Sequence, residues 1–115
     1  MENVHSIIII KKGDKFLNYY DERWGIYLFP NRKGNDIEEI KQQYHTDHVQ
    51  FLFDKVHHKY SVSHKEVRTY HHYFYQVDTE TEGEYFTLDE LLKDSKVKEY
   101  NEDIIKFIDT YFHNK

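Results

Sequence analysis

The segment Tyr27-Leu28-Phe29-Pro30, followed by Asn31-Arg32-Lys33-Gly34-Asn35 and then by Asp36-Ile37-Glu38-Glu39-Ile40-Lys41-Gln42-Gln43-Tyr44-His45, decides how the chain is read. Trp24 to Phe29 has the pattern of a strand, and Pro30 stops it because proline has no N–H to give to a central ladder. Residues 31–35 read as a loop with Gly34 near its end. Asp36 to about Tyr44 reads as a short helix, since Ile37, Ile40 and Tyr44 recur at spacings of three and four and share a face.

Upstream, Val4 to Lys11 is β-branched, Gly13-Asp14 is turn-forming and Lys15 to Tyr20 is extended again, which predicts a hairpin. Downstream, Val49 to Val62 and Glu66 to Val77 are long strand candidates joined around Ser63 and His64. Val49, Phe51 and Phe53 alternate, whereas Val56, His58, Tyr60 and Val62 take the opposite parity, so a bulge is expected near Asp54-Lys55. After a polar turn from Asp78 to Gly83, Thr87-Leu88-Asp89-Glu90 forms a capping box that opens a helix through Leu92. Asn101 is the expected N-cap of a final helix whose stripe is Ile104, Ile105, Ile108, Tyr111 and Phe112. The order predicts a single α+β domain over residues 1–115, a mixed sheet with covering helices.

Composition narrows the function. The 115 residues carry no cysteine, which excludes disulfides, thiolate nucleophiles and cysteine-ligated metals and favours the cytoplasm. Ile7 to Ile10, the longest aliphatic run, is far too short to cross a bilayer, and no signal pattern precedes it. A formal charge of -5 argues against polymeric nucleic acid as a partner. Aromatic residues make up 17% of the chain, more than a small core needs, and leave rings for stacking on flat ligands. Alanine is absent and lysine outnumbers arginine 13 to 3, a codon bias that fits a low-GC bacterium or phage.

The strand end Tyr27-Leu28-Phe29-Pro30, the helix Glu38 to His45 and the segment Glu84-Tyr85-Phe86-Thr87-Leu88 to Leu92 resemble a Nudix domain. In that family the helix carries R-E-U-x-E-E-x-G, with U aliphatic. The resemblance implies a Nudix-like fold and, in active members, metal-dependent hydrolysis of nucleoside diphosphate derivatives. Here Gln42 and Gln43 stand where the pattern has its paired glutamates, Glu38 replaces its arginine, and Glu39 alone keeps its carboxylate. Amide oxygens are weaker ligands for hard divalent cations and cannot act as general bases near neutral pH. The loop is also short, with Asn31-Arg32 in place of the glycine pair. The expectation is a non-enzymatic domain with no resident metal and no cofactor.

Degenerate Nudix-like sensors of bacterial antiphage CBASS membrane effectors are similar in these respects. That likeness implies binding of a cyclic di- or oligonucleotide, fusion to transmembrane helices outside these residues and, with a two-fold ligand, a homodimer. Such a ligand needs cations for phosphates and rings for bases. The cation candidates are Arg23, Arg32, Lys33 and Arg68; the ring candidates are Trp24, Tyr27, Phe29, Tyr73 and Tyr75. His57 with His71 across neighbouring strands is a minor metal candidate, because adjacent histidines on a strand point to opposite faces. Two rivals stand beside this reading: a divergent hydrolase using Glu39 with Glu66 or Asp78, and a protein-interaction domain presenting its tyrosines.

Overall fold

The computed structural model describes residues 3–61 and 64–113. Val62, expected to end the first long strand, and Ser63, expected in the turn that follows it, lie outside the described residues. The chain forms two compact units, Met1–Ile10 with Pro30–Thr81 and Lys11–Phe29 with Glu82–Lys115. It passes between them three times, so no single cut in the sequence separates them.

In the first unit, β1 (Asn3–Ile9), β5 (Asn31–Lys33), β6 (Val49–Ser61) and β7 (Glu66–Val77) form a sheet of order β5-β1-β7-β6, with helix α1 (Ile37–Tyr44). β1 runs parallel to β7 and antiparallel to β5, and β6 is antiparallel to β7, so the sheet is mixed. The sequence placed β1 in a hairpin with the next strand; it is instead a central strand. Ser6 to Ile10 are all buried, and a strand with neither face in water belongs inside a sheet. Residues 31–35 were expected to be a loop, yet Asn31–Lys33 pairs with β1 in the register His5↔Lys33, Ser6↔Arg32, Ile7↔Asn31. Pro30 cannot donate, but its carbonyl accepts from Ile8 N–H at 2.8 Å and leads the chain onto that edge. The bulge falls between Phe51 and Phe53, not at Asp54-Lys55, so those two rings face opposite sides.

The second unit holds β2 (Lys11–Lys12), β3 (Lys15–Asp21), β4 (Ile26–Leu28), β8 (Glu84–Phe86), α2 (Leu88–Leu92) and α3 (Ser95–His113). β2, β4 and β8 all pair antiparallel with β3, and the Gly13-Asp14 turn joins β2 to β3. The Thr87 capping box is formed. Helix α3 begins six residues before Asn101: Asp94 Oδ1 accepts from Lys96 N at 2.9 Å and Val97 N at 3.3 Å, which caps an earlier first turn. Val97 is the reason, since it lies seven residues before Ile104 and extends the same buried stripe. Among the described residues, no helix is long and apolar enough to cross a membrane.

Candidate functional site

Helix α1 is set by local chemistry. Asp36 caps it, its carboxylate accepting from Glu38 N at 2.9 Å and Glu39 N at 3.4 Å. Ile40 is the residue it buries. It ends at His45, a non-glycine residue at φ 55°, in the left-handed conformation that closes helices and usually favours glycine. His45 occupies the glycine position of the helix pattern quoted above.

On β5, Asn31 and Lys33 are exposed and Arg32 is partly buried. The Arg32 guanidinium reaches α1, where Nη2 donates to Glu39 Oε2 at 2.6 Å and Nη1 to Gln43 Oε1 at 2.7 Å. One internal cation thus bridges two helix residues four apart, both at positions where the family pattern has carboxylates. Gln42 points elsewhere. With Glu38, Lys41, His45, Thr46 and Asp47 it lines a shallow depression of about 270 Å³, in which Lys41 and Glu38 form an ion pair at 3.5 Å. The two amides therefore serve different surroundings.

Register aligns Arg32, Ser6, Tyr73 and Asp54 across the four strands, which places them on one face. Tyr73 is half-buried and stacks on His71 with ring centroids 4.2 Å apart, while His71 Nε2 lies 2.7 Å from Asp54 Oδ2. Tyr75 shares this face but is only 5% exposed, and its hydroxyl donates to the Asn35 carbonyl at 3.3 Å. Burial pushes its phenol pKa up, with smaller contributions from Tyr73 and Asp36. Its ring belongs to the core. The opposite face carries Lys33, His5, His72 and Lys55 in one row. Burial, and secondarily Lys33, lowers the His5 pKa. Arg68 pairs with Glu66 at 2.9 Å near the far end of β7. His57 meets His72 at 2.8 Å and not His71, because register sets His71 opposite Val56. Among the described residues, no three acidic or histidine side chains converge into a metal site.

The remaining candidates lie in the second unit. Arg23 is exposed in the turn before β4, and Trp24 packs near Tyr100 with centroids 6.0 Å apart. Phe29 is 2% exposed and meets Phe16 edge-on, so it is core and offers no ring to a ligand. Tyr27 is half-buried between Tyr20 and Phe86, at 5.2 and 4.9 Å. The sequence reading passed over Asn18 and Glu84, which face each other on β3 and β8. A polar residue directly after the apolar pair Phe16-Leu17, with which it forms the buried part of β3, was the signal available for Asn18.

No family model and no curated protein sequence matches the chain. Solved structures do. An Ap4A hydrolase from C. elegans, in a binary complex, superposes with a TM-score of 0.64 at 11% identity, over 99% of this chain and 98% of its own. A MutT-type Nudix hydrolase from methicillin-resistant Staphylococcus aureus gives 0.61 at 16% identity, covering 96% and 97%. A Nudix hydrolase from Nitrosomonas europaea gives 0.59 at 16%, covering 99% and 90%. The chain has a Nudix fold, mixed-sheet α+β in class.

Proposed function

We propose that this chain is a non-catalytic Nudix-fold module that binds a cyclic di- or oligonucleotide, the messenger class implied by its resemblance to CBASS effector domains. The observation that carries the non-catalytic part is the Arg32 bridge. A guanidinium held by Glu39 and Gln43 supplies the positive charge that a bound divalent cation would otherwise bring to this helix. Phosphate recognition on this reading falls to Arg32 on β5, and stacking to Tyr73, which shares its face of the first unit's sheet; Lys33 lies on the opposite face. A partner polypeptide carrying membrane helices, and pairing of two copies around a two-fold ligand, belong to the same proposal.

The second reading is a divergent hydrolase, favoured by the structural neighbours, which are hydrolases, and by the retained Glu39. On that reading Glu39 must exchange Arg32 for a metal ion. Glu66 and Asp78 cannot both assist, because they flank opposite ends of the 12-residue strand β7. One experiment separates the two readings. Purified protein is titrated with a panel of cyclic dinucleotides in EDTA, then assayed with Mg²⁺ or Mn²⁺ on diadenosine tetraphosphate and nucleoside diphosphate derivatives. Saturable binding without metal and no turnover supports the sensor; metal-dependent cleavage at ordinary enzyme rates overturns it.

A further inference from the structure

In the second unit, Asn18 on β3 is 1% exposed. Its Nδ2 donates to the carbonyls of Leu17 at 2.9 Å and Phe16 at 3.4 Å, which fixes the amide's orientation, and its Oδ1 is left buried with no hydrogen-bond partner among the described residues. Buried acceptors are rarely left unmet, and such an atom calls for a donor from beyond the described residues. Its surroundings are aromatic. Tyr20, two residues along the same face of β3, is 55% exposed, and Tyr27 lies opposite it in register. Phe86 and Glu84 flank the position on β8, with Glu84 directly opposite Asn18. The Tyr27 phenol is hydrogen-bonded to the Glu84 carboxylate while its ring touches Phe86, so Tyr27 spans the space beside Asn18.

We infer that Tyr20, Tyr27, Phe86, Asn18 and Glu84 form a base-stacking subsite for a planar ring with a donor-rich edge, and that guanine is the base it takes. The rings supply stacking faces, and Asn18 and Glu84 are neighbouring acceptors. Guanine presents two adjacent donors, N1–H and the 2-amino group, to such a pair. The arriving edge takes the Glu84 carboxylate from the Tyr27 phenol, and the freed ring remains to stack. This subsite is separate from the Arg32 bridge, and a mononucleotide tests it without the cyclic ligand or metal of the proposed function. Its failure therefore leaves that reading standing, and the converse holds.

The test uses GMP and IMP, which differ by the 2-amino group, titrated into wild-type protein and followed by NMR. GMP is expected to shift the Tyr20, Tyr27 and Phe86 resonances and to bind about tenfold tighter than IMP, the scale of the net worth of one hydrogen bond. Asn18→Leu is expected to abolish that preference. Tyr27→Phe, which keeps the ring and frees Glu84, is expected to tighten GMP severalfold. Should Asn18→Leu fail to fold, the wild-type shifts and Tyr27→Phe still decide. Equal affinity for GMP and IMP, shifts confined to other residues, or weaker GMP binding by Tyr27→Phe overturns the inference.

Discussion

Replacing Arg32 with methionine keeps the aliphatic stem and removes the guanidinium, so it isolates the bridge to α1. The bond to Glu39 is charge-assisted, but Glu39 is 55% exposed and Arg32 28%, so solvent screening reduces it to about 1 kcal/mol. The bond to the neutral Gln43 amide adds roughly 0.5 to 1 kcal/mol. Against these, Arg32 Nε is buried with no hydrogen-bond partner among the described residues, and removing that donor returns about 1 kcal/mol. The net destabilisation expected for Arg32→Met is therefore about 0.5 to 1 kcal/mol, roughly 2 to 4 °C in a protein of this size, read by thermal unfolding. Adding Gln43→Glu places two carboxylates four residues apart with no cation between them. This double variant should be less stable than Arg32→Met alone and should be rescued by metal. At about 10 mM Mn²⁺ and a Kd of about 1 mM the rescue is roughly 1.4 kcal/mol. Wild type should show no such response. A wild-type protein stabilised by Mn²⁺ as strongly as the double variant would refute the idea that the guanidinium fills the cation's place.

Gly83 at φ +155° has no room for a side chain: an added Cβ would lie 2.4 Å from Leu17 Cδ1 and 3.1 Å from Tyr19 Cε1. Gly83→Ala is expected to cost about 2 to 3 kcal/mol in urea unfolding, and a change below about 0.5 kcal/mol would show that the turn relaxes freely. Thr87 Oγ1 accepts from Glu90 N at 3.1 Å and Glu90 Oε1 from Thr87 N at 2.9 Å, so Thr87→Ala should cost about 1 kcal/mol while Thr87→Ser costs much less. His5 is held below its ordinary pKa in the fold, so the unfolded chain takes up its proton first as pH falls below about 6.5. Its contribution to stability is complete above that pH and is lost on acidification. His5→Gln should flatten the stability curve between pH 7 and the folded-state pKa, as measured by urea unfolding at stepped pH.

What could be read from the sequence was local. The short helix from Asp36, the Thr87-Glu90 capping box and the long strands rest on residues within a few positions of one another, where side-chain chemistry leaves few alternatives. Pairing was harder. Val4 to Lys11 and Lys15 to Tyr20 flank a good turn, and turn chemistry suggested one hairpin. Only Lys11 and Lys12 enter it, because burial of four consecutive isoleucines draws the preceding strand into a parallel pair with β7. Asn101 has the chemistry of an N-cap, yet Asp94 with Val97 starts the helix earlier, since one more buried turn outweighs one good cap. The site shows the same division. The sequence identified Arg32, Glu39 and Gln43 as the residues of interest, but no periodicity links a strand residue to a helix seven and eleven positions on. Their union depends on β5 pairing at the sheet edge, which the loop reading missed.

The shape of α1 and its chemistry have separate origins. The helix closes at His45 in a left-handed conformation where the family pattern has glycine, so the backbone path persists without the residue that makes it easy. The side chains between its caps obey a different constraint, set by Arg32. This makes the two amides unequal. Gln42 lies away from the guanidinium, and a carboxylate there meets Lys41, Glu38 and Asp47 in the open depression. A carboxylate at position 43 would meet Arg32 and convert a neutral hydrogen bond into a second charge-assisted one. Gln43→Glu alone should therefore tighten the bridge and raise stability by about 0.5 to 1 kcal/mol, with no gain in metal response. Restoring acids one at a time in the presence of Arg32 strengthens the grip of the internal cation. A metal-binding helix requires the arginine to leave first, and Mn²⁺-dependent stabilisation of the Gln43→Glu single variant would contradict that ordering.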